Sequence, residues 1–204
     1  MDDIRLEKWF FSLKQELETA YLLYEDPKKQ SGFSSTEEYW VACRKPVADC
    51  IDKSGTFLDI GCANGYLLEC IMNWTGERGI AITPFGLDLS EKLVELAIER
   101  LPEYSDNFYA GNAWSWDAPM KYDYARTELV YVPNELQKEY IERILNNYLT
   151  EHGKLLIALY RNRSTPVDEP WDEVKVREWG FEVTRQVSGY WDSKELTRVL
   201  VVSK

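Results

Sequence analysis

Apolar residues follow two alternating patterns along the chain, continuous runs of strand length and repeats at three- and four-residue steps. Continuous runs bounded by turn residues are typical of strands buried in a parallel sheet, whereas stepped repeats are typical of amphipathic helices. Their alternation indicates an α/β fold with a mostly parallel sheet. The runs predict strands at 56–60, 80–88, 107–110, 122–130 (including its exit loop), 154–160, 180–187 and 195–202.

The last two predicted strands are joined only by residues 188–193. A parallel crossover needs about a dozen residues or more, so a connection this short predicts an antiparallel pair. The sheet is therefore expected to end in a hairpin.

Two helices are predicted before the first strand. The first covers 2–24, where apolar residues recur at helical spacing. The second begins after Thr36, because Ser35 and Glu38 have the spacing of a capping box, and a kink is expected near Pro46. Further helices are predicted at 90–101 with Ser90 as its N-cap, at 134–149, and in a segment that reaches Trp179.

A glycine-rich turn follows the first predicted strand and leads into a helix. Gly61 can adopt a backbone φ that other residues avoid, and Gly61 and Gly65 let a ligand lie against bare backbone. A dinucleotide fingerprint would need glycine at Ala63 and Tyr66, and the Gly-Lys-Ser/Thr ending of a Walker loop is absent. The turn therefore predicts a nucleoside without a phosphate chain. Asp88, which ends the second strand at about the usual separation of roughly 20 residues, is predicted to bind the ribose hydroxyls.

Five segments, in order, resemble motifs of the class I S-adenosylmethionine-dependent methyltransferase family. Residues 59–65 resemble the first motif and 86–90 the ribose-binding motif. Residues 111–113 resemble the segment beside the adenine, with asparagine where aspartate is commoner, while 122–124 and 151–155 resemble the fourth and fifth strand signatures. The ordered set is more specific than a glycine turn alone.

This resemblance, which covers about 54–204, implies a Rossmann-like doubly wound sheet of order 3-2-1-4-5-7-6 with strand 7 antiparallel. It also implies S-adenosyl-L-methionine as methyl donor and S-adenosyl-L-homocysteine as product, with no metal. Methyl transfer is an in-line displacement in which the protein aligns donor and acceptor and excludes water. The expected cofactor-binding residues are Asp59, Gly61, Cys62, Ala63, Asn64, Gly65, Asp88, Leu89, Ser90, Asn112, Ala113, Trp114 and Thr127.

Charged and aromatic residues follow the fourth and fifth predicted strands, whose carboxyl ends are where such sheets bind ligands. Glu128 and Tyr131 are candidates to orient or deprotonate an acceptor. An alternative is that Glu128 pairs with Arg126 or caps a helix. His152, the sole histidine, lies at the opposite end of the sheet and is expected to be a surface residue. The candidate substrate residues are Tyr21, Trp40, Arg44, Arg126, Tyr160 and Arg161.

The N-terminal helices lie outside the family motifs and are candidates for a lid. Their aromatic residues could cover the donor and shape the acceptor pocket; core packing is the alternative. These residues are Tyr21, Tyr24, Phe33, Tyr39 and Trp40. We assign 1–53 to this N-terminal part and 54–204 to the methyltransferase core of the same domain.

Composition narrows the choice of partners. The 204 residues carry a formal net charge of −11, which argues against a broad phosphate-binding surface and therefore against a nucleic-acid partner. The start at 1–3 is acidic and no apolar run reaches the length of a membrane span, which favours a cytoplasmic protein with no membrane partner. Four cysteines and one histidine form no CxxC pair or zinc set.

Together these features predict methyl transfer from S-adenosylmethionine to a small-molecule acceptor. RNA or protein methylation is an alternative, although no Asn/Asp-Pro-Pro-Tyr/Phe-type sequence follows the fourth strand. A non-catalytic S-adenosylmethionine-binding protein is another. The acceptor, the methylated atom and the oligomeric state stay open at this point.

Overall fold

The computed structural model describes residues 3–166 and 168–204, and its strands form one mixed sheet. The strands are β1 (Gly55–Ile60), β2 (Ile82–Asp88), β3 (Phe108–Ala110), β4 (Tyr122–Thr127), β5 (Leu149–Tyr160), β6 (Val183–Trp191) and β7 (Lys194–Ser203). Their order is β3-β2-β1-β4-β5-β7-β6, and β7 runs antiparallel to both β5 and β6. The expected sheet order and the antiparallel seventh strand are confirmed.

Helices cover both faces of this sheet. They are α1 (Asp3–Tyr21), α2 (Glu37–Asp49), α3 (Tyr66–Gly76), α4 (Glu91–Arg100), α5 (Gln137–Arg143) and α6 (Glu173–Glu178). Neighbouring residues of β1 face opposite layers, since Phe57 packs with the cluster that includes α2 and α3, whereas Leu58 packs with the cluster that includes α5. Each fully buried side chain of this size contributes about 1.5–3 kcal/mol, so the two layers hold the strand ends in fixed positions.

α2 lies directly on the C-terminal hairpin. Gly189 of β6 makes this approach possible, because a Cβ there would collide with the Ala42 carbonyl oxygen and come within 2.9 Å of the Pro46 ring. Thr197 of β7 donates a hydrogen bond of 2.8 Å to the Cys43 carbonyl. The sheet therefore fixes the position of the next residue on the helix, Arg44.

The N-terminal helices differ in detail from the sequence prediction. The predicted first helix, 2–24, ends at Tyr21 in the structure, and its residue 2 lies outside the described residues. The N-cap of α2 is Thr36, whose hydroxyl accepts from the Tyr39 N–H at 3.3 Å, so the predicted capping role of Ser35 is wrong. α2 continues through Pro46 to Asp49.

Several later boundaries also differ. The predicted helix at 134–149 is a short 3-10 turn, then α5, then a π turn at Ile144–Tyr148. β5 begins at Leu149, five residues earlier than predicted, and its pairing with β4 skips from Leu149 to Lys154. His152 is therefore an exposed residue of this irregular strand start. The turn between β6 and β7 consists of Asp192 and Ser193, both with positive φ (48° and 63°), and is shorter than predicted.

The carboxyl ends of β1, β2 and β4 meet at one edge of the sheet, as they must when strands run parallel. The glycine turn follows β1, Asp88 ends β2 and Glu128 follows β4. α1 and α2 lie beside this edge, since residues of both helices line the same cavity there. Among residues 3–166 and 168–204, no helix has the length and apolar character needed to cross a membrane.

Candidate functional site

A cavity of about 360 Å³ lies at this edge of the sheet, within the range of small-molecule sites. One group of lining residues comes from the turns after β1, β2 and β3, namely Gly61, Cys62, Ala63, Asp88, Leu89, Gly111, Asn112 and Ala113. A second group comes from the ends of β4 and β5 and from α2, namely Trp40, Arg44, Arg126, Glu128, Val130, Tyr131 and Tyr160. The cavity therefore joins the predicted donor residues to predicted acceptor residues.

The glycine turn has the backbone geometry that its sequence suggests. Gly61 and Gly65 have φ values of 76° and 74°. Ala63 also has a positive φ, 47°, although it carries a side chain. The Ala63 N–H donates to Asp88 Oδ2 at 2.9 Å, so a hydrogen bond to a buried carboxylate accompanies this strained conformation.

Asp88 has room for a further ligand at its carboxylate. Its Oδ2 accepts from Ala63 N–H and its Oδ1 accepts from Ser90 N–H, each at 2.9 Å. A carboxylate has about four lone-pair sites, so both oxygens can still accept from a pair of hydroxyls. Burial raises the pKa of Asp88, and the backbone N–H donors act in the opposite direction. The residue lines the cavity, as a ribose-binding carboxylate should.

Several predicted cofactor residues support the site without lining the cavity. Asn64 Nδ2 donates to the Pro27 carbonyl and to Gln30 Oε1, both at 3.0 Å, which fixes the α1–α2 connection to the glycine turn. Ser90 is the N-cap of α4, as predicted. Thr127 is buried, with its hydroxyl 2.7 Å from that of Tyr140.

Trp114 lies apart from the other predicted cofactor residues. It lines a separate depression together with Glu139 and Arg143, and does not line the main cavity. The backbone N–H of Trp114 donates to Asn112 Oδ1 at 3.0 Å, and this hydrogen bond holds the turn after β3. The part of this turn that faces the cavity is 111–113.

Arg126 is the centre of a buried polar cluster. Asp59 and Arg126 are register partners on β1 and β4, and Arg126 Nη1 lies 3.2 Å from Asp59 Oδ1. Arg126 also donates to the carboxylate of Glu128, to the Tyr131 hydroxyl at 3.2 Å and to the Tyr160 hydroxyl at 3.4 Å. The pairing of Arg126 with Glu128, considered from the sequence as an alternative to a catalytic role, is therefore present at the cavity wall.

Burial shifts the acid–base properties of this cluster. Desolvation raises the pKa of Asp59 to about 7, against the opposing effect of Arg126. Desolvation also raises the pKa of the Tyr131 hydroxyl well above its usual value. Tyr131 is therefore protonated near neutral pH, and it donates to Glu128 Oε1 at 2.9 Å. Asp59 Oδ2 and Arg126 Nε have no partner among the described residues.

The predicted substrate residues separate into two sets. Tyr21, Trp40, Arg44 and Tyr160 line the cavity together with Arg126. Arg161 does not, because its guanidinium lies 3.9 Å from the centre of the Trp171 ring and donates to the Glu169 carbonyl. Desolvation raises the pKa of the Tyr21 hydroxyl, which is consistent with its enclosed position.

α1 supplies lining residues that the sequence interpretation did not assign to the site. Phe10, Leu13 and Leu17 line the cavity from the apolar face of this helix. Their helical spacing identifies an apolar face, but spacing alone does not show whether that face covers a core or a cavity. Of the other aromatic residues proposed for a lid, Tyr24 is exposed and Phe33 is buried.

Side-chain contacts attach α1 to the start of α4. Lys14 pairs with Glu91, and Glu18 accepts from Lys92 at 2.7 Å and from the Ser90 hydroxyl at 2.8 Å. Within α1, whose residues 3–21 are all described, Phe10 is the buried residue. Exposed ion pairs contribute little to stability, so this helix is held less firmly than α2.

No protein-family profile matches the chain, and no curated protein matches it. Solved structures do. The [4+2]-cyclase SpnF is 18% identical with a TM-score of 0.64, covering 96% of each chain. Magnesium protoporphyrin IX methyltransferase (ChlM) from Synechocystis PCC 6803, solved with bound SAM, is 17% identical with a TM-score of 0.62, covering 100% of this chain and 98% of that one. A SAM-dependent methyltransferase from Aquifex aeolicus is 16% identical with a TM-score of 0.56, covering 93% and 97%. At these identities the likeness shows the fold.

Proposed function

We propose that this chain, which has the fold of the class I S-adenosylmethionine-dependent methyltransferases, transfers a methyl group from S-adenosylmethionine to a small-molecule acceptor. The observation that carries the proposal is the continuity of one cavity. It extends from Gly61 and Asp88, where the donor is expected, to Arg126 and Glu128 at the end of β4. Two reactants can therefore share one cavity, which is what alignment for transfer requires.

The residues present fit the donor. The Asp88 carboxylate keeps free lone pairs toward the cavity for two ribose hydroxyls. The turn from Gly61 to Ala63 lines the cavity, and the amino-acid end would lie along it, beside the Tyr131 ring that packs on Gly61. The fully buried Asp59 does not line the cavity, and it supports the start of the turn through its pairing with Arg126. Leu89, Asn112 and Ala113 would enclose the adenine.

S-adenosylmethionine, when bound, supplies an electrophilic methyl group on a sulfonium. The chain's own residues then position the acceptor and exclude water. Tyr131 stays protonated because burial raises its pKa, and its one O–H donates to Glu128, so it orients that carboxylate toward the acceptor. Glu128, whose side chain is 22% exposed, is the carboxylate that can receive a proton at the cavity wall, with Arg126 and Tyr131 fixing its position.

The shape and charge of the cavity favour a small acceptor over a macromolecule. α1 lines the site with Phe10, Leu13 and Leu17, so this wall of the cavity is apolar. The arginines among the lining residues are Arg44 and Arg126, and Arg126 is paired. An RNA substrate would need a wider basic surface, which the net charge of −11 also argues against.

The experiment must follow the methyl group itself, because the [4+2]-cyclase SpnF shows that proteins of this fold also carry other activities. The protein is incubated with methyl-labelled S-adenosylmethionine and separate small-molecule, RNA and protein fractions of a cell extract. We expect label in the small-molecule fraction, and about ten- to a hundredfold less label at limiting donor when Asp88→Ala replaces the wild type.

Each other outcome has a definite meaning. Label in RNA or protein, at a rate that small acceptors do not match, would replace the small-molecule acceptor by a macromolecular one. Donor that binds but is not consumed in any fraction would support a non-catalytic binding protein. Failure of both the donor and its demethylated product to bind would remove the proposal as a whole.

A further inference from the structure

We infer that the acceptor is a small organic acid and that Arg44 binds its carboxylate. This inference rests on the proposed function and specifies the substrate class of the same cavity. It derives from the surroundings of the Arg44 side chain, which differ from those of Arg126, the other arginine in the lining.

Arg44 lies among aromatic rings. Its guanidinium carbon is 3.7 Å from the centre of the Tyr160 ring and 5.3 Å from the centres of the Trp40 and Phe33 rings. Stacking of this kind uses the flat faces of the guanidinium and leaves its in-plane N–H donors available. Those donors form a planar fork that matches the two oxygens of a carboxylate.

Arg44 has no anionic partner among the described residues. Among the described residues, no hydrogen bond and no ion pair involves its side chain, although the residue is half-buried and lines the cavity. Arg126 differs, since its guanidinium meets Glu128 and Asp59. A partly desolvated cation without a counter-charge is costly, so the missing anion is expected to arrive with a ligand.

The amount of compensating charge points to a carboxylate. One unpaired cation needs one negative charge. A phosphate monoester carries close to two at neutral pH and would add negative charge near Glu128 and Asp59. Apolar residues of α1, together with Trp40, also line the cavity. A monoanionic acid with an apolar body therefore fits best.

The position of Arg44 separates it from the donor's own carboxylate. Arg44 stacks on Tyr160, the last residue of β5, whereas the donor's amino-acid end is expected at the turn after β1. β4 lies between these strands, and neighbouring strands are about 4.8 Å apart, so Tyr160 and the turn lie roughly 10 Å apart across the sheet. Arg44 is therefore on the acceptor side of the cavity.

The test compares carboxylic acids with their neutral carboxamides. A set of small aromatic and aliphatic acids, each paired with its carboxamide, is titrated by calorimetry into protein saturated with S-adenosylhomocysteine. We expect the acids that bind to do so about ten- to a hundredfold more tightly than their amides, the usual effect of a charge-assisted pair. Arg44→Met should abolish this preference, and Arg44→Lys should retain part of it because charge remains without the fork. Both variants should bind S-adenosylhomocysteine as the wild type does.

Arg163→Met is the matched control. Arg163 also lies over an aromatic ring, 4.3 Å from the centre of Tyr39, but it is exposed and does not line the cavity. Its replacement should leave the acid preference intact.

Four results would overturn the inference: equal binding of acids and amides, no binding of any acid, an unchanged acid preference in Arg44→Met, or loss of S-adenosylhomocysteine affinity in Arg44→Met. The last would assign Arg44 to the donor's carboxylate. If the wild type does not bind S-adenosylhomocysteine, the proposed function fails instead, and the same acid and amide titrations on the ligand-free protein still decide the role of Arg44.

Discussion

The phenol ring of Tyr131 lies directly on the backbone of Gly61. A Cβ at Gly61 would come within 2.5 Å of the ring carbon that bears the hydroxyl, and within 2.6 Å of the hydroxyl oxygen. The φ of Gly61 is also 76°, in the region that favours glycine. Two constraints therefore favour glycine at position 61: the backbone conformation of the turn after β1, and the side chain of Tyr131 from the segment after β4.

Replacement of Gly61 by alanine tests both restrictions. A side chain at positive φ costs about 1–2 kcal/mol, and overpacking against Tyr131 costs a further 1–3 kcal/mol or so. Gly79 provides the control, because its φ of 72° is similar but a Cβ there would meet nothing within 4 Å. In denaturant titrations Gly61→Ala should lose more stability than Gly79→Ala, and only Gly61→Ala should weaken binding of S-adenosylhomocysteine. Equal losses would show that the ring contact is unimportant.

Replacement of Asp88 by alanine removes the predicted ribose acceptor. Loss of charge-assisted hydrogen bonds costs about 1.5–3 kcal/mol, so S-adenosylhomocysteine should bind roughly ten- to a hundredfold more weakly by calorimetry. Asp123 is the comparison residue. It accepts from Thr56 N–H at 2.9 Å at the other end of β1, away from the cavity. Asp123→Ala should lower stability and leave the affinity unchanged; unchanged affinity in Asp88→Ala would remove the ribose assignment.

The meeting of the glycine turn and Asp88 at one cavity could be predicted because its signals are local. A strand, a glycine turn and a carboxylate at the end of the next strand all fall within about thirty residues. In such folds the carboxylate follows the turn at a spacing of roughly 20 residues. Gly61 and Asp88 line the cavity accordingly. The antiparallel end of the sheet followed from the short link between the last strands, and the observed two-residue turn at Asp192 and Ser193 strengthens that argument.

What the sequence could not show depends on contacts between distant residues. Asp59 and Arg126 are 67 positions apart and meet only through strand register. Ser35 and Thr36 are both acceptable N-caps, and the chain path decides between them. The apolar residues near Leu149 suit a helix end and a strand start equally well, which explains why the predicted boundary of β5 was wrong.

Hydrogen exchange should show whether α1 acts as a lid. Its backbone is held by one buried residue, Phe10, and by side-chain contacts to α4, so it should open more readily than the core. Binding of S-adenosylhomocysteine should slow exchange in 3–45, with the largest effect in α1. Residues of β5 serve as the internal reference, because their exchange should change little. Equal exchange of α1 with and without the ligand would make it plain scaffold.

The buried carboxyl of Asp59 predicts a pH-dependent stability. Its folded-state pKa of about 7 is higher than the usual unfolded value of about 3.9. Between these pH values the native state keeps a proton that the unfolded chain has lost, so the free energy of unfolding should fall as the pH rises from about 4 to 7. Denaturant titrations at pH 5 and pH 7.5 measure this.

Asp59→Asn keeps an oxygen acceptor toward Arg126 and removes the titration. The fall in stability over this range should therefore be smaller in the variant. Some fall should remain, because burial also raises the pKa of Asp88. A decrease identical to that of the wild type would show that Asp59 does not titrate in this range.

The close packing of α2 on Gly189 affects how ligands enter and leave the cavity. Because α2 sits on the hairpin backbone there, and Thr197 bonds to Cys43, this wall of the cavity is part of the sheet layer. We expect α1 to be the wall that moves, so that donor and acceptor pass through one shared opening. Two reactants that share an entrance cannot exchange independently. We expect a compulsory order of addition and release in steady-state product inhibition, and turnover that slows with solvent viscosity when opening of α1 limits the rate.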